Sequence, residues 1–259
     1  MKNLAVKILI ILLALFLFYS CMNDKYVNPD YQTENGNYFP NTEGSCYKYE
    51  IFRSDSNNSI QDGNRVITYN GDSLIQRTRY QIQLDSVESS TQTISSVSYF
   101  RTTSTGVFYF VDTTGISSLL PDSLLRSIDL QTEMRLFLFP FIRGNSWTVY
   151  RVSYNVSSQF GYNIINFSAK YFNDEVLQLN LNGIEKTLNT KKVKYLLSIQ
   201  TDPNSSPQNY ETNIWVADNI GIVKMQGSTV ILGIFSGGGI GLSNVTGEIT
   251  QNLVEYNIK

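Results

Sequence analysis

Residues Phe139 to Tyr150 read FPFIRGNSWTVY and lead into the clearest long strand of the chain. From Ser146 to Val156, aromatic and aliphatic residues alternate with polar ones, which is the period-two pattern of a half-buried strand. Pro140 cannot donate a hydrogen bond to a strand ladder, and Gly144 permits a tight turn. The stretch therefore predicts a kinked segment followed by a strand.

The same spacing of proline, glycine and an aromatic residue occurs twice, 100 positions apart. The first copy consists of Pro40, Gly44 and Tyr47, and the second of Pro140, Gly144 and Trp147. The offset could indicate two repeats, but the flanking segments do not match well. The sequence therefore predicts one β domain over residues 38–259.

Composition favours β structure. The chain of 259 residues includes 17 Tyr and 14 Phe, and 16% of its residues are charged. Aromatic and β-branched side chains suit the pleated, half-buried surface of a sheet. Strand-like segments with short links continue to the C-terminus, without the strand–helix alternation of a parallel sheet. About a dozen antiparallel strands are predicted.

Pairs of turn-forming residues predict where these strands end. The predicted turns are Asp62-Gly63, Asn70-Gly71, Asn173-Asp174 and Asn182-Gly183. One short helix is predicted from Pro121 to Leu130, because proline suits a first helical turn and the following leucines fall on one side. The apolar segment from Val230 to Phe235 is predicted to be a buried strand, with the lining of an apolar ligand cavity as the alternative.

The N-terminus has the pattern of an export signal. Lys2 and Lys7 supply a positive N-terminal end before an unbroken apolar run from Ile8 to Phe18, which has signal-peptide length and is short for a membrane span. The run ends at Ser20-Cys21, which resembles the lipobox of bacterial lipoproteins. That resemblance implies a signal peptide over residues 1–20 and a Cys21 acylated by fatty acids such as palmitate. An ordinary signal peptide or an uncleaved anchor is the alternative.

Residues 21–37 are rich in Asn, Asp, Tyr and Gly without apolar periodicity, so they are predicted to be a flexible tether. Met22 follows Cys21 where some lipoproteins have Asp. By the sorting rule known for lipoproteins of Gram-negative bacteria, this favours the outer membrane. Both the periplasmic face and the cell surface remain open.

Charge and cysteine content exclude some classes. Without Lys2 and Lys7, 18 of the 20 basic residues remain against 22 acidic ones, a net charge of −4. This balance gives no electrostatic basis for nucleic-acid binding. If Cys21 carries lipid, Cys46 is the only other cysteine, so no disulfide is expected. Cys46 is predicted to pack as a small apolar residue.

Several motifs together resemble those of a group of uncharacterised bacterial envelope lipoproteins. Their Tyr-Phe-Pro-x3-Gly-x2-Trp-x-Tyr motif fits Tyr38 to Tyr49, with Tyr47 replacing the Trp. A hairpin motif fits Tyr99 to Tyr109, and a second Pro-x3-Gly-x2-Trp motif begins at Pro140. A Trp-x-Ala-x3-Gly-x-Val-Lys motif begins at Trp215 and has Gly221 as its glycine.

This resemblance covers most of the mature chain. It implies a large curved antiparallel sheet, or an incomplete β-barrel like that of periplasmic lipoprotein carriers, with a helix against the concave face. It implies no reaction, because the group has none assigned.

Signals for catalysis and metal binding are weak. The chain has no His, which removes His-based triads, bases and metal sites. Ser45 and Lys48 match S-x-x-K by letter, but on a strand they point to opposite sides. Asp55 to Asp62 is rich in oxygen ligands but lacks the glycine and closing Glu of a calcium loop. No enzyme activity, cofactor or metal is predicted, and Asp174-Glu175 is read as a solvated pair.

Two functional hypotheses follow. The first is an envelope lipoprotein that holds or carries an apolar ligand in its curved sheet, beside the segment from Val230 to Phe235. The second is a structural or adhesive surface module that binds glycan or protein partners. Trp147 and Trp215 could form a sugar-stacking platform, although aromatic residues at alternating strand positions are more often core.

Overall fold

The protein is described from a computed structural model. It covers residues 36–55, 58–89, 93–113, 128–155, 161–200, 202, 204–236 and 248–259. The predicted signal peptide and Cys21 lie outside the described residues, as do residues 121–127 of the predicted helix. The described part of the chain contains no helix with the length and hydropathy needed to span a membrane.

Within the described residues, thirteen strands form one antiparallel sheet. The first seven are β1 (Cys46–Asp55), β2 (Asn58–Ile75), β3 (Thr78–Ser89), β4 (Thr93–Thr103), β5 (Gly106–Phe110), β6 (Ile128–Asp129) and β7 (Glu133–Leu138). The others are β8 (Ser146–Asn155), β9 (Gly161–Leu181), β10 (Ile184–Ile199), β11 (Gln208–Ala217), β12 (Gly221–Ser228) and β13 (Glu248–Asn257). Between β12 and β13 lies the helix α1 (Thr229–Phe235).

The sheet curls into a nearly closed barrel. Its strand order is β6-β8-β9-β10-β11-β12-β13-β1-β2-β3-β4-β5-β7, so the first and last long strands of the domain pair in the middle of the sheet. The strands β7 and β8 follow each other in the chain but stand near opposite ends of this order, and they contact each other. The predicted all-β, mainly antiparallel fold with one short helix is confirmed.

The predicted strand from Val230 to Phe235 is wrong, because this segment is the helix α1. The hydroxyl of Ser228 caps its N-terminus by accepting a hydrogen bond from the N–H of Val230. Hydrophobic periodicity cannot separate a short buried helix from a buried strand when every position is apolar. The predicted helix is also wrong at its C-terminal end, where Ile128 and Asp129 form β6.

Three of the four predicted turns are wrong, because long bulged strands run through them. Strand β2 continues through Gly63 and through Asn70-Gly71, with pairing irregularities beside both. Strand β9 continues through Asn173-Asp174, where its pairing with β10 shifts by one residue. A β-bulge uses the same small and polar residues as a turn, but keeps the strand direction. The turn at Asn182-Gly183 is present, with both residues at positive φ.

Aromatic side chains fill much of the barrel interior, which we call the lumen. The ring of Phe137 lies 6.2 Å from that of Phe39, 6.4 Å from that of Tyr195 and 6.4 Å from that of Phe235 on α1. Phe137 and Tyr195 have no exposed surface, and Phe235 is 3% exposed. Because its apolar side chains are buried on all sides, α1 acts as a packed plug inside the sheet.

The two proline–glycine motifs build the same turn. In each, the glycine N–H donates to a tyrosine carbonyl, from Gly44 to Tyr69 at 2.9 Å and from Gly144 to Tyr171 at 3.0 Å. The residue after each glycine accepts a hydrogen bond from the N–H of the same tyrosine, at 3.0 Å in both cases. Each tyrosine also precedes a bulge in its strand. The spacing of 100 residues therefore marks two structurally equivalent starts, at β1 and at β8.

Candidate functional site

A buried ion pair forms the polar part of the lumen. Arg65 on β2 is 1% exposed, and its Nε lies 3.1 and 2.9 Å from the two carboxylate oxygens of Asp85 on β3. Its guanidinium also donates to the side chain of Gln251 at 3.1 Å and to the backbone carbonyl of Phe235. Burial lowers the pKa of Arg65, but the adjacent Asp85 carboxylate outweighs this effect, so the pKa is raised. Arg65 therefore stays charged and fastens the end of α1 to the barrel wall.

The lumen beside this pair leaves little space. A cavity of about 20 Å³ lies among Tyr49, Arg65, Tyr69, Gln83 and Phe235, with other residues completing its lining. A cavity of this size has room for about one water molecule. The hydrogen bonds of Arg65 described above all go to protein acceptors, namely Asp85, Gln251 and the Phe235 carbonyl. This polar cluster therefore holds the helix in place.

The residues considered for catalysis and metal binding are not brought together. Ser45 is fully buried and its hydroxyl accepts a hydrogen bond from the N–H of Lys259, whereas Lys48 is exposed. Burial and the nearby Glu255 raise the pKa of the Cys46 thiol, which disfavours the nucleophilic thiolate. Among the residues with described positions, no group of three or more acidic, His or Cys side chains could hold a metal ion.

Trp215 is covered rather than displayed. It is 3% exposed, and its ring lies between Lys192 and Lys224, whose Nζ atoms are 4.8 and 4.9 Å from the ring centroid. Its indole N–H donates to the Glu175 carboxylate at 3.0 Å, and this bond is the main cause of the lowered pKa of Glu175. Trp147 is 8% exposed. The two tryptophans therefore do not form a sugar-stacking platform.

The barrel has one opening in its wall, between β7 and β8, among the described strands; we call it the seam. Hydrogen bonds from side chains connect the two sides of the seam, in place of the backbone hydrogen bonds that join paired strands. The indole of Trp147 donates to the Arg135 carbonyl at 3.0 Å, and the hydroxyl of Tyr150 donates to the Gln131 carbonyl at 2.9 Å. From β10, which is two strands from β8 in the sheet, the hydroxyl of Tyr195 donates to the Leu136 carbonyl at 2.7 Å. Among the described strands, β7 and β8 contact each other but are not hydrogen-bonded neighbours in the sheet.

An open cleft of about 570 Å³ lies at this seam. We call it the seam cleft, and its lining consists of Phe108, Leu130, Gln131, Thr132, Glu133, Arg135, Thr148 and Val149. The lining combines a cation, a carboxylate, two hydroxyls, an amide and three apolar side chains. The lining can therefore offer a ligand ionic, hydrogen-bonding and apolar contacts.

A charged and aromatic cluster borders the seam cleft. The Phe108 ring lies between two guanidinium groups, 4.1 Å from Arg101 and 5.2 Å from Arg135. Glu133 binds Arg101 through two hydrogen bonds of 2.6 Å each, and the hydroxyl of Tyr80 donates to it at 2.6 Å. The bonds from Arg101 lower the pKa of Glu133, against a smaller upward effect of burial. Glu133 is therefore ionised, and Arg101 is neutralised by it.

Sequence reasoning missed both ionic clusters and the strand β7. Arg65 and Asp85 stand at apparently ordinary strand positions, and only the barrel brings β2, β3 and α1 together. Glu133 to Leu138 contains two adjacent buried residues, Leu136 and Phe137, at an irregularity, so it lacks a clean alternation. The aromatic and aliphatic residues of this segment were the feature of the sequence that could have predicted the strand.

The predicted motif residues have structural roles. The hydroxyl of Tyr47 donates to the Pro40 carbonyl at 2.7 Å, and Pro40 packs against Gly221. Gly44, Gly144 and Gly221 all adopt positive φ. These residues shape turns and the barrel ends, and Trp147 closes the seam.

Neither a family model nor a curated protein matches the chain. Among solved structures, the chain is similar to a protein from Bacteroides fragilis described as exported and of YmcC-like fold, at 14% identity and a TM-score of 0.47, over 86% of this chain and 99% of that one. A protein from Parabacteroides distasonis described as a lipoprotein matches at 10% identity and a TM-score of 0.47, over 86% and 99%. The hypothetical lipoprotein YmcC from Escherichia coli matches at 9% identity and a TM-score of 0.33, over 84% and 89%. At such identities and TM-scores, these likenesses carry no conclusion about function.

Proposed function

We propose that the protein is a lipid-anchored cell-envelope protein whose barrel binds glycan or protein partners at its outer surface. The packing of the described residues around α1 supports the second part, since the cavity beside this helix measures about 20 Å³. Ligand pockets usually measure roughly 300–1,000 Å³. The first part rests on the export signal and Cys21, and Met22 supports the outer membrane as the location.

The apolar-ligand hypothesis has less support. It depended on the segment from Val230 to Phe235 lining an accessible cavity. In α1 the side chains of Val230, Ile231, Leu232, Ile234 and Phe235 are buried instead. A ligand in the lumen would have to displace these packed side chains, at a cost of several kcal/mol for each large one. A rigid module that displays its outer surface fits this packing better.

A binding role also fits the state of the acidic residues better than an enzymatic one. Asp174 pairs with Lys191 at 3.0 Å, and Glu175 pairs with Lys192 at 3.1 Å. Burial raises the pKa of Asp174, but hydrogen bonds from Tyr171 and Lys191 and nearby positive charge together outweigh it, so the pKa is lowered. The pKa of Glu175 is also lowered, chiefly by the hydrogen bond from the Trp215 indole. Neither carboxyl is therefore poised to act as a general acid near neutral pH.

The anchor is tested by expressing the full chain in a Gram-negative host, as wild type and as Cys21→Ala. We expect the wild type to gain acyl mass and to fractionate with membranes, and the variant to do neither. Equal solubility of both proteins without acyl mass would refute the anchor.

The outer-surface part is tested by organic extraction of the purified barrel after the anchor lipid is accounted for. We expect no stoichiometric apolar molecule besides the anchor. One molecule of lipid per chain in the Cys21→Ala protein would restore the carrier hypothesis.

A further inference from the structure

We propose that the seam cleft binds a small carboxylate ligand that also carries hydroxyl groups, such as an acidic sugar, and that Arg135 holds its carboxylate. The inference rests on the proposed function, because it places the ligand on the outer surface of the barrel. The first observation is the balance of charged side chains in and beside the seam cleft. Arg101 is neutralised by Glu133, whereas Arg135 has no carboxylate partner among the described residues. The cleft therefore has one surplus positive charge.

The position of Arg135 suits a carboxylate. Its guanidinium is exposed and lies over the face of Phe108, which limits its motion. A guanidinium whose face rests on a ring still directs its N–H groups outward in its plane. Two of these N–H groups can bind both oxygens of a carboxylate at once, which gives orientation as well as affinity.

Backbone groups add polar sites inside the cleft. The N–H of Val111 donates to the Thr132 carbonyl at 2.9 Å. In an antiparallel pair, hydrogen-bonded and non-hydrogen-bonded residues alternate. Glu133 and Arg135 therefore direct their backbone groups away from β5 and towards the seam, and the bond from Trp147 to the Arg135 carbonyl agrees with this.

The same reasoning applies across the seam. The N–H of Tyr171 donates to the Asn145 carbonyl, and the register of β8 with β9 continues without a shift to Thr148. Thr148 is therefore at a non-hydrogen-bonded position and directs its backbone groups towards β7. Together with the side chains of Gln131 and Thr132, both exposed, these groups can donate to and accept from ligand hydroxyls.

Two further features limit the ligand. Buried Val149 and partly buried Leu130 give the cleft an apolar part, which suits the C–H face of a sugar ring. Within the described lining of the cleft, Arg135 is one cation without an ion pair, and the chain as a whole has a net negative charge. This suits a ligand with one carboxylate, because a polyanion would meet repulsion elsewhere. An apolar ligand would leave the polar lining without partners.

The test is calorimetric titration of the full-length, detergent-purified protein with galacturonate, a sugar with one carboxylate and several hydroxyl groups. Neutral galactose and acetate are compared with it, since galactose lacks the carboxylate and acetate lacks the hydroxyl groups. The variants are Arg135→Gln, Arg135→Lys and Arg151→Gln. Arg151 is a matched control, because it is an exposed arginine on β8 that does not line the cleft. Near-ultraviolet circular dichroism verifies the fold of each variant.

We expect galacturonate to bind the wild type and Arg151→Gln equally, and Arg135→Gln at least about ten-fold more weakly. Arg135→Lys should recover part of the loss, since it keeps the charge without the bidentate geometry. Binding of gluconate, an open-chain hydroxy acid with one carboxylate, with the same dependence on Arg135 would support the chemistry and identify a hydroxy acid as the source. The proposal is overturned if the wild type binds neither acid, if acetate binds as tightly, or if Arg135→Gln and Arg151→Gln behave alike. These outcomes are independent of acyl mass and lipid extraction, so failure here is distinguishable from failure of the proposed function.

Discussion

At the scale of single residues, two motif glycines differ in a way that can be measured. Gly144 (φ 87°) and Gly221 (φ 98°) both lie where side chains are strained. A Cβ on Gly221 would lie 3.2 Å from Cδ of Pro40, whereas none of the compared atoms lies within 4 Å of a Cβ on Gly144. We expect Gly144→Ala to lower the free energy of unfolding by about 1–2 kcal/mol, and Gly221→Ala to lower it further. Urea denaturation measures both, and equal losses would mean that Pro40 yields without cost.

Glu133 predicts a pH dependence. Its folded-state pKa is lowered, chiefly by Arg101, so its stabilising effect is full above the unfolded value near 4.5 and is lost as pH falls through the lower folded value. The difference in stability between wild type and Glu133→Gln should therefore be constant near neutral pH and shrink in acid. Denaturation from pH 3 to 7 tests this. When Arg101 is replaced by Gln in both proteins, this stability difference should decrease much less in acid. An equal decrease would show that a group other than Arg101 lowers the pKa of Glu133.

At the scale of elements, composition and alternation were sufficient to predict most strands but not where they end. In β9 the predicted turn at Asn173-Asp174 is a bulge, because only pairing with β10 decides whether the chain continues or reverses. In α1 the uniformly apolar sequence carried no period, so its helical state comes from the Ser228 cap and the barrel around it. The seam cleft joins β5, β7 and β8, and its residues share no sequence pattern because the closing of the barrel brings them together.

The hairpin of β9 and β10 is fastened at its tip by Asn182. Its side chain exchanges two hydrogen bonds with the backbone of Tyr256, of 2.8 and 3.0 Å, and its N–H donates to the Val254 carbonyl at 2.8 Å. Asn182→Gly keeps the positive φ but removes the side-chain bonds, so we expect a loss of about 1 kcal/mol or more. The Tyr256 amide should exchange faster with solvent.

Asn219→Gly is the control for this change. Asn219 also has positive φ, at 57°, but lies in a different turn. Hydrogen-exchange NMR should show Tyr256 unaffected by it. If both substitutions increase the exchange rate of the Tyr256 amide equally, the effect comes from general destabilisation. The contact between Asn182 and Tyr256 would then be unimportant.

At the scale of the whole molecule, the strands that follow the two equivalent turns form two halves of the barrel, β1 to β7 and β8 to β13, except that β6 lies beside β8. These halves meet at two junctions. At one junction, β13 pairs with β1 from Cys46 to Arg53 through backbone hydrogen bonds. At the other, the seam, aromatic side chains replace the ladder. Backbone pairing fixes both strands along their length, whereas a few side-chain bonds fix them at points. The binding site that we propose lies at the seam, where β7 and β8 are not joined by a backbone ladder.

This asymmetry predicts where the barrel opens first. Local opening is easiest where few backbone bonds must break, so amides of β7 and β8 that face the seam should exchange faster than amides between β13 and β1. Trp147→Phe removes the donor to the Arg135 carbonyl and should accelerate exchange in β7 and β8 only. Its matched control is Tyr47→Phe at the equivalent position of the first half, which removes the bond to the Pro40 carbonyl but leaves the ladder of β1 intact. Hydrogen-exchange mass spectrometry on the wild type and both variants measures this. Equal acceleration at the two junctions would show that the side chains at the seam secure it as firmly as a backbone ladder.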